Sequence, residues 1–171
     1  GISLLEALAE RALEYRLQIF ATDLDEEAIA RARIGHYPAS IATDVSADRL
    51  RRFFLRREQG YEVGRRLREL VVFATHDVTR DAPFSRLDLV SCRNVLIYLQ
   101  SPLQKRVLQV LHYALVPDGF LVLGTSETVG DSPELFSIFD KKNRIYTKRN
   151  VASTGMFGLD GVVLRDVRSA R

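Results

Sequence analysis

With only one cysteine, Cys92, in 171 residues, the chain can close no disulfide within itself, and a reducing cytoplasm suits the composition. No apolar run approaches the roughly 18 residues that a membrane-crossing helix needs. The N-terminus has no basic stretch followed by a long apolar one, which argues against a signal peptide. Gly1 reads as a cut point, since no Met precedes it. His36, His76 and His112 are far apart and no pair has ligand spacing, so no metal site is expected. The phosphate loop G-x-x-x-x-G-K-S/T is missing, which excludes a P-loop nucleotidase. Without G-x-S-x-G, a Ser-His-Asp hydrolase has little support. Arg93 follows Cys92, but no histidine partner is evident, so the thiol reads as a small buried residue rather than a nucleophile.

What is present suits a globular domain. A hydrophobic content of 46% over this length can bury one substantial core, most simply as one domain. The net charge of +3 is too small to argue for nucleic acid. The charge is uneven, however: Arg49, Arg51, Arg52, Arg56, Arg57, Arg65, Arg66 and Arg68 crowd a span whose only acids are Glu58 and Glu62. The span reads as a solvated helix face and hairpin, or as a docking surface for an acidic partner.

Hydrophobic spacing predicts an amphipathic helix over 3–15 and a strand over 17–22 that ends at Asp23. A second helix starts at Asp25, with Glu26 and Glu27 favouring the positive end of its dipole, and stops at the turn cluster Gly35–Pro38. Ser46 opens a helix to about Phe53, and 54–67 reads as a small hairpin around Gln59-Gly60. Strands follow over 69–75 and 87–91. Ser101 as N-cap and Pro102 at the first helical position open a helix over 102–115, with Leu103, Val107, Val110, Leu111 and Ala114 on one face. Pro117-Asp118-Gly119 reads as a turn, 120–123 as a strand, 136–139 as an apolar closing segment and 144–148 as a final strand. Alternating strands and helices predict an α/β fold with a mostly parallel sheet. The tail 151–171 reads as a linker.

Ligands of open α/β sheets sit beyond the carboxyl ends of the strands. Asp23 stands at one such end, where a carboxylate can accept both hydroxyl protons of a ribose diol. Asp25 already supplies the helix cap, which leaves Asp23 for a ligand. His76-Asp77-Val78 closes the next strand, where an Asp can accept from an adenine amino group. The apolar run of Leu87 and Leu89-Val90 stops abruptly at a polar cluster within 90–98. Arg93, Asn94 and Tyr98 there form either a ligand site or a plain strand-to-helix loop.

Ala-Thr-Asp-Leu-Asp at 21–25, Ala-Arg-x-Gly-x-Tyr at 32–37, Ser-Cys-Arg-Asn-Val-Leu-Ile-Tyr at 91–98, Pro-Asp-Gly-Phe-Leu at 117–121 and Gly-Thr-Ser-Glu at 124–127 occur together. In this combination the chain resembles the CheR-type chemotaxis receptor methyltransferases over about residues 3–149, most closely the versions fused to a CheB-type methylesterase. The resemblance implies a Rossmann-like class I methyltransferase sheet with a small inserted β-hairpin subdomain. It implies methyl transfer from S-adenosylmethionine to receptor glutamates, leaving S-adenosylhomocysteine. Matched position by position, Asp23 corresponds to the acid on the cofactor ribose, Asp77 to the adenine-side residue, and Val78 to the lining of the same pocket. Arg93 and Asn94 correspond to cofactor and active-site contacts, and Tyr98 to the tyrosine beside the transferable methyl. The hairpin corresponds to a subdomain that docks receptor tails in some members, which suits its arginines.

The chain also departs from the family's pattern. Gly1-Ile2-Ser3-Leu4 stands where the family has a loop of the type Gly-Glu-Glu-x-Tyr-Ser, and the strand before that loop is missing. The N-terminal helical domain is missing too. A missing central strand predicts an exposed apolar slot and, with it, rearrangement, self-association through the slot, or a truncated gene product. Two rival readings remain at this point. One is a non-catalytic docking or regulatory module of a sensory protein, binding receptor cytoplasmic regions or attached sensor domains. The other is a dinucleotide-dependent dehydrogenase, which the missing glycine fingerprint disfavours.

Overall fold

A computed structural model describes residues 1–11, 16–130 and 132–151. They divide into two compact units, Gly1–Asp77 and a second from Val78 onward.

The first unit opens with helix α1 (Ile2–Glu10) and strand β1 (Ile19–Asp23). The helix expected over 3–15 is therefore shorter, and residues 12–15 lie outside the described residues. Helix α2 (Glu26–Ile34) forms where its caps predict: Asp25 accepts a hydrogen bond from the Ala28 N–H, and Gly35, at φ 68°, closes it in the left-handed region. Strand β5 (Val71–Thr75) lies parallel to β1, with Asp23 opposite Thr75. Among the described residues β5 is the sole strand neighbour of β1.

Between β1 and β5 the chain builds a second, three-stranded sheet. The hairpin of β3 (Phe54–Arg57) and β4 (Gly60–Val63) ends earlier than the expected 67, because helix α4 (Arg65–Arg68) follows Gly64. It also gains a strand that looked like a turn: β2 (His36–Pro38) pairs antiparallel with β4. Gly60 permits this, since a Cβ there would collide with the Tyr37 carbonyl. The Phe54 ring meets Tyr37 and Tyr61 edge-on at 6.0 and 6.5 Å. The Val63 N–H donates to the Gly35 carbonyl at 2.9 Å, so the two ends of the insertion meet. Helix α3 (Ala47–Phe53), capped by Ser46, contributes the buried Leu50 and Phe53.

The second unit is a four-stranded sheet in the order β6 (Leu87–Cys92), β7 (Leu115–Leu123), β9 (Ile145–Lys148), β8 (Phe136–Asp140). The β6–β7 pair is parallel and the other two are antiparallel. The turn expected at 117–119 is absorbed into β7 as a kink, with Asp118 at φ 61° and a register shift against β6. Helix α5 (Ser101–Ala114) buries Val107, Leu108, Val110, Leu111 and Ala114, and the first, second and fourth of these join Leu121, Leu123, Phe136 and Tyr146 in one cluster. Its N-cap is Gln100 rather than Ser101, and no side chain caps it; Pro102 sits one position further in than expected. His112 lies inside this core with Nε2 3.0 Å from the Arg149 carbonyl, which can only accept, so Nε2 carries the proton. Among the described residues no helix is long and apolar enough to cross a membrane. Of the expected linker, 152–171 lies outside the described residues.

Candidate functional site

The expected site residues fall in both units. In the first, Asp23 ends β1 and is exposed. Its Oδ1 accepts the Asp25 N–H at 3.0 Å, and its carbonyl accepts the His76 N–H at 3.0 Å. One carboxylate oxygen is thus oriented by the backbone while the group stays open to solvent. Asp25 therefore caps α2, and the Asp23 carboxylate takes no part in that cap beyond accepting the Asp25 N–H. Asp77 follows β5 by two residues and is half-buried, so it lies beside the same pair of parallel strand ends.

In the second unit Val78 packs against the core of that unit. Arg93 and Asn94 directly follow β6, and Leu96–Tyr98 form a short 3-10 turn before α5. Arg93 and Asn94 are exposed, and Tyr98 is 80% exposed, so the structure gathers these three polar side chains on one loop. Asn94 sits at φ 58°, in the left-handed region where Asn is among the most tolerated residues.

Beneath this loop lies a residue that sequence reasoning missed. Glu127 is 3% exposed, and its carboxylate accepts four backbone N–H groups. Oε2 takes those of Gly124 at 2.7 Å and Asn94 at 2.8 Å, and Oε1 those of Val95 at 2.8 Å and Leu96 at 2.7 Å. Burial pushes the Glu127 carboxyl up, but the four donors outweigh it and hold the group below the ordinary carboxylate range. Gly124 is required beside it, since a Cβ there would come within 2.6 Å of both Asn94 Oδ1 and Glu127 Oε2. The available signal was Gly-Thr-Ser-Glu at 124–127, whose final acid has an apolar strand immediately upstream.

Cys92 is half-buried, and burial together with the Glu127 charge pushes its thiol up to about 11. A thiol this protonated is a poor nucleophile at neutral pH, in line with the small-residue reading. Among the described residues no group of His, Cys, Asp and Glu could hold a metal ion. The arginine-rich span is more balanced than its composition suggests. Arg49 and Arg52 pair with Glu6, Arg51 and Arg52 with Asp48, Arg57 and Arg68 with Glu62, and Arg65 with Glu69. The balancing acids Glu6, Asp48 and Glu69 come from outside the span.

Residues 2–145 match the profile of the family described as CheR methyltransferase, SAM binding domain. The chain belongs to that family. It is 36% identical over 163 residues to the Putative methyltransferase Cher3 of Pseudomonas putida, covering 82% of this chain and 55% of that protein. It is 32% identical over 132 residues to the Chemotaxis protein methyltransferase of Salmonella typhimurium, covering 72% of this chain and 45% of that protein. An "Uncharacterized 104.1 kDa protein in hypE 3'region" of Rhodobacter capsulatus is 40% identical over 130 residues, covering 76% of this chain and 14% of that protein. The chain spans about half the length, or less, of these curated relatives. Among solved structures, the N-methyltransferase NodS from Bradyrhizobium japonicum WM9 aligns over 77% of this chain and 73% of its own. The TM-score is 0.43 and the identity 16%, too distant to add to the assignment.

The residues present fit the nucleoside part of the ligand in the CheR family's name. Asp23 offers a backbone-oriented, solvent-open carboxylate of the kind that a diol requires. The 94–96 loop is a poor phosphate site, because its N–H donors are already bonded to Glu127.

Proposed function

We propose that the chain is the cofactor-binding part of a protein-glutamate O-methyltransferase, transferring a methyl group from S-adenosylmethionine to glutamates in the cytoplasmic regions of chemotaxis receptors or of attached sensor domains. The observation that carries this reading is Asp23, exposed and backbone-oriented at the carboxyl end of a parallel strand, in a chain of the CheR family. When bound, the cofactor supplies a methyl group on a sulfonium, and that sulfur leaves with the bonding electrons. Asp23 would hold the ribose hydroxyls, and Asp77 the adenine amino group, with Val78 against the same group. Asn94 would bind the cofactor too. Arg93 would orient the acceptor carboxylate, which is already a nucleophile and needs no base. Tyr98 would pack beside the methyl and limit its approach. Most of the acceleration then comes from alignment of oxygen, methyl and sulfur.

A cytoplasmic setting follows from such acceptors and agrees with a free, unreactive thiol. Strands β1 and β6 each keep one edge without a strand neighbour among the described residues, where a further strand from this or another chain would add.

Calorimetric titration of the full chain with S-adenosylmethionine and S-adenosylhomocysteine tests the reading. Micromolar binding, weakened at least about tenfold in Asp23→Ala, is expected, since one hydrogen bond to a charged group contributes roughly 1.5–3 kcal/mol. A folded sample that binds neither compound would instead support the docking-module reading.

A further inference from the structure

We propose that Glu127 is the positioning residue of the 93–98 loop: its carboxylate is a built-in anion that fills the backbone nest of Asn94, Val95 and Leu96 and so sets where Arg93, Asn94 and Tyr98 stand. As a role in methyl transfer, this rests on the function proposed above.

Three successive N–H groups converge on one carboxylate, at 2.8, 2.8 and 2.7 Å. Such a run of N–H groups around a left-handed residue makes a concavity that binds anions, and here Asn94 at φ 58° is that residue. In other α/β sites an external ligand occupies such a nest, whereas this chain supplies the anion itself. The fourth donor, Gly124, shares Oε2 with Asn94 and lies just past the end of β7. Cys92 and Leu123 are register partners in parallel strands, so Glu127 clamps the loop after β6 to the loop after β7. A carboxylate has about four lone-pair sites, and four donors fill them. With all four used and the group 3% exposed, Glu127 has no capacity left for a substrate. It acts only through the loop it holds. The same loop carries an 80% exposed tyrosine and two exposed polar residues, whose placement follows its backbone course.

The test compares the full chain with Glu127→Gln and Glu127→Ala, using three readouts. In amide NMR spectra of the wild type, the Gly124, Asn94, Val95 and Leu96 protons are expected downfield, as for bonds to a carboxylate. In Glu127→Gln one acceptor becomes a donor facing N–H groups, so at least two of the four should move upfield while circular dichroism stays unchanged. Turnover on receptor peptides should fall at least about tenfold, and affinity for S-adenosylhomocysteine should fall by less, because of the three loop residues only Asn94 is given wholly to the cofactor while Arg93 and Tyr98 act on alignment. Added acetate should restore the amide shifts and part of the turnover in Glu127→Ala by refilling the empty nest. Unmoved amide shifts in folded Glu127→Gln, or turnover equal to the wild type, would overturn the proposal. So would an Ala variant that stays folded and ignores acetate. If the wild type itself transfers no methyl group, the proposed function fails, and Glu127 is still judged by amide shifts and acetate.

Discussion

Within each of the two units of this molecule, different physics does the holding. In the unit that begins at Val78, α5 and the strands around it bury Val107, Leu121 and Leu123 at 0–1% exposure and Leu108, Leu115, Phe136 and Tyr146 at 2–3%. In Gly1–Asp77 the buried hydrophobic residues, among those described, are Ile29, Leu50 and Phe53. What the first unit has instead is a mesh of ion pairs through Glu6, Asp48, Glu62 and Glu69. Exposed ion pairs are screened by salt and contribute little, whereas buried side chains contribute several-fold more each. The difference teaches where each candidate group gets its rigidity. The 93–98 loop is anchored in a packed core, and Asp23 rests on a two-stranded pair beside an electrostatic lattice.

The sharpest way to break this contrast is to hollow the second unit. Leu121→Ala, at a site with no exposure, should cost about 2–5 kcal/mol in denaturant titration and raise amide exchange throughout α5 and β7. A loss under about 1 kcal/mol would mean that the core is not what holds the unit.

A change of pH sharpens the contrast next. Burial holds His112 below its ordinary value of 6.5, and the four N–H bonds hold Glu127 below 4.5. Both folded values are depressed, so both groups stabilise the folded state above their ordinary values and lose that contribution as pH falls. The unfolded chain takes up the His112 proton first. The free energy of unfolding of the second unit, from denaturant titration at each pH, should therefore begin to fall below about pH 6.5 and fall more steeply below about 4.5. A flat profile from pH 7 to 4 would contradict both assignments.

The smallest effect belongs to the lattice. Arg49→Ala removes the 2.6 Å contact to Glu6, yet Arg49 is exposed and the half-buried Glu6 keeps Arg52 at 3.6 Å. The thermal midpoint should drop by far less than in Leu121→Ala, and the difference from wild type should fade at about 1 M salt, where the Debye length is about 3 Å. A drop comparable to the core variant would show that the first unit is organised by charge.

Features governed by neighbours in sequence were legible without the structure. Asp25 and Gly35 bound α2 because capping chemistry is local, and the α5 face followed from its spacing. The strand end at Asp23 and the polar loop after β6 were legible for the same reason. What failed was non-local. Strand β2 has three residues and ends in proline, so it reads as a turn, and only its pairing with β4 makes it a strand. Pro117-Asp118-Gly119 carries turn chemistry, yet the pairing of Leu115 with Leu87 before it and of Phe120 with Leu89 after it draws it into β7. Ser101 has the chemistry of a cap but sits inside the helix, where its side chain caps nothing. Glu127 reaches donors 31 to 33 residues back in the chain, a connection no local pattern encodes.

The hydrogen bond from Val63 to Gly35 has a consequence for how such a protein can diversify. The three-stranded insertion enters and leaves through one doorway, while five register partners fix β1 against β5 independently of what hangs from it. Lengthening a loop costs little, about 0.6 kcal/mol for each doubling. The segment between the doorposts is therefore a cassette: descent can exchange it, and a designer can graft it, without disturbing the strand end that carries Asp23.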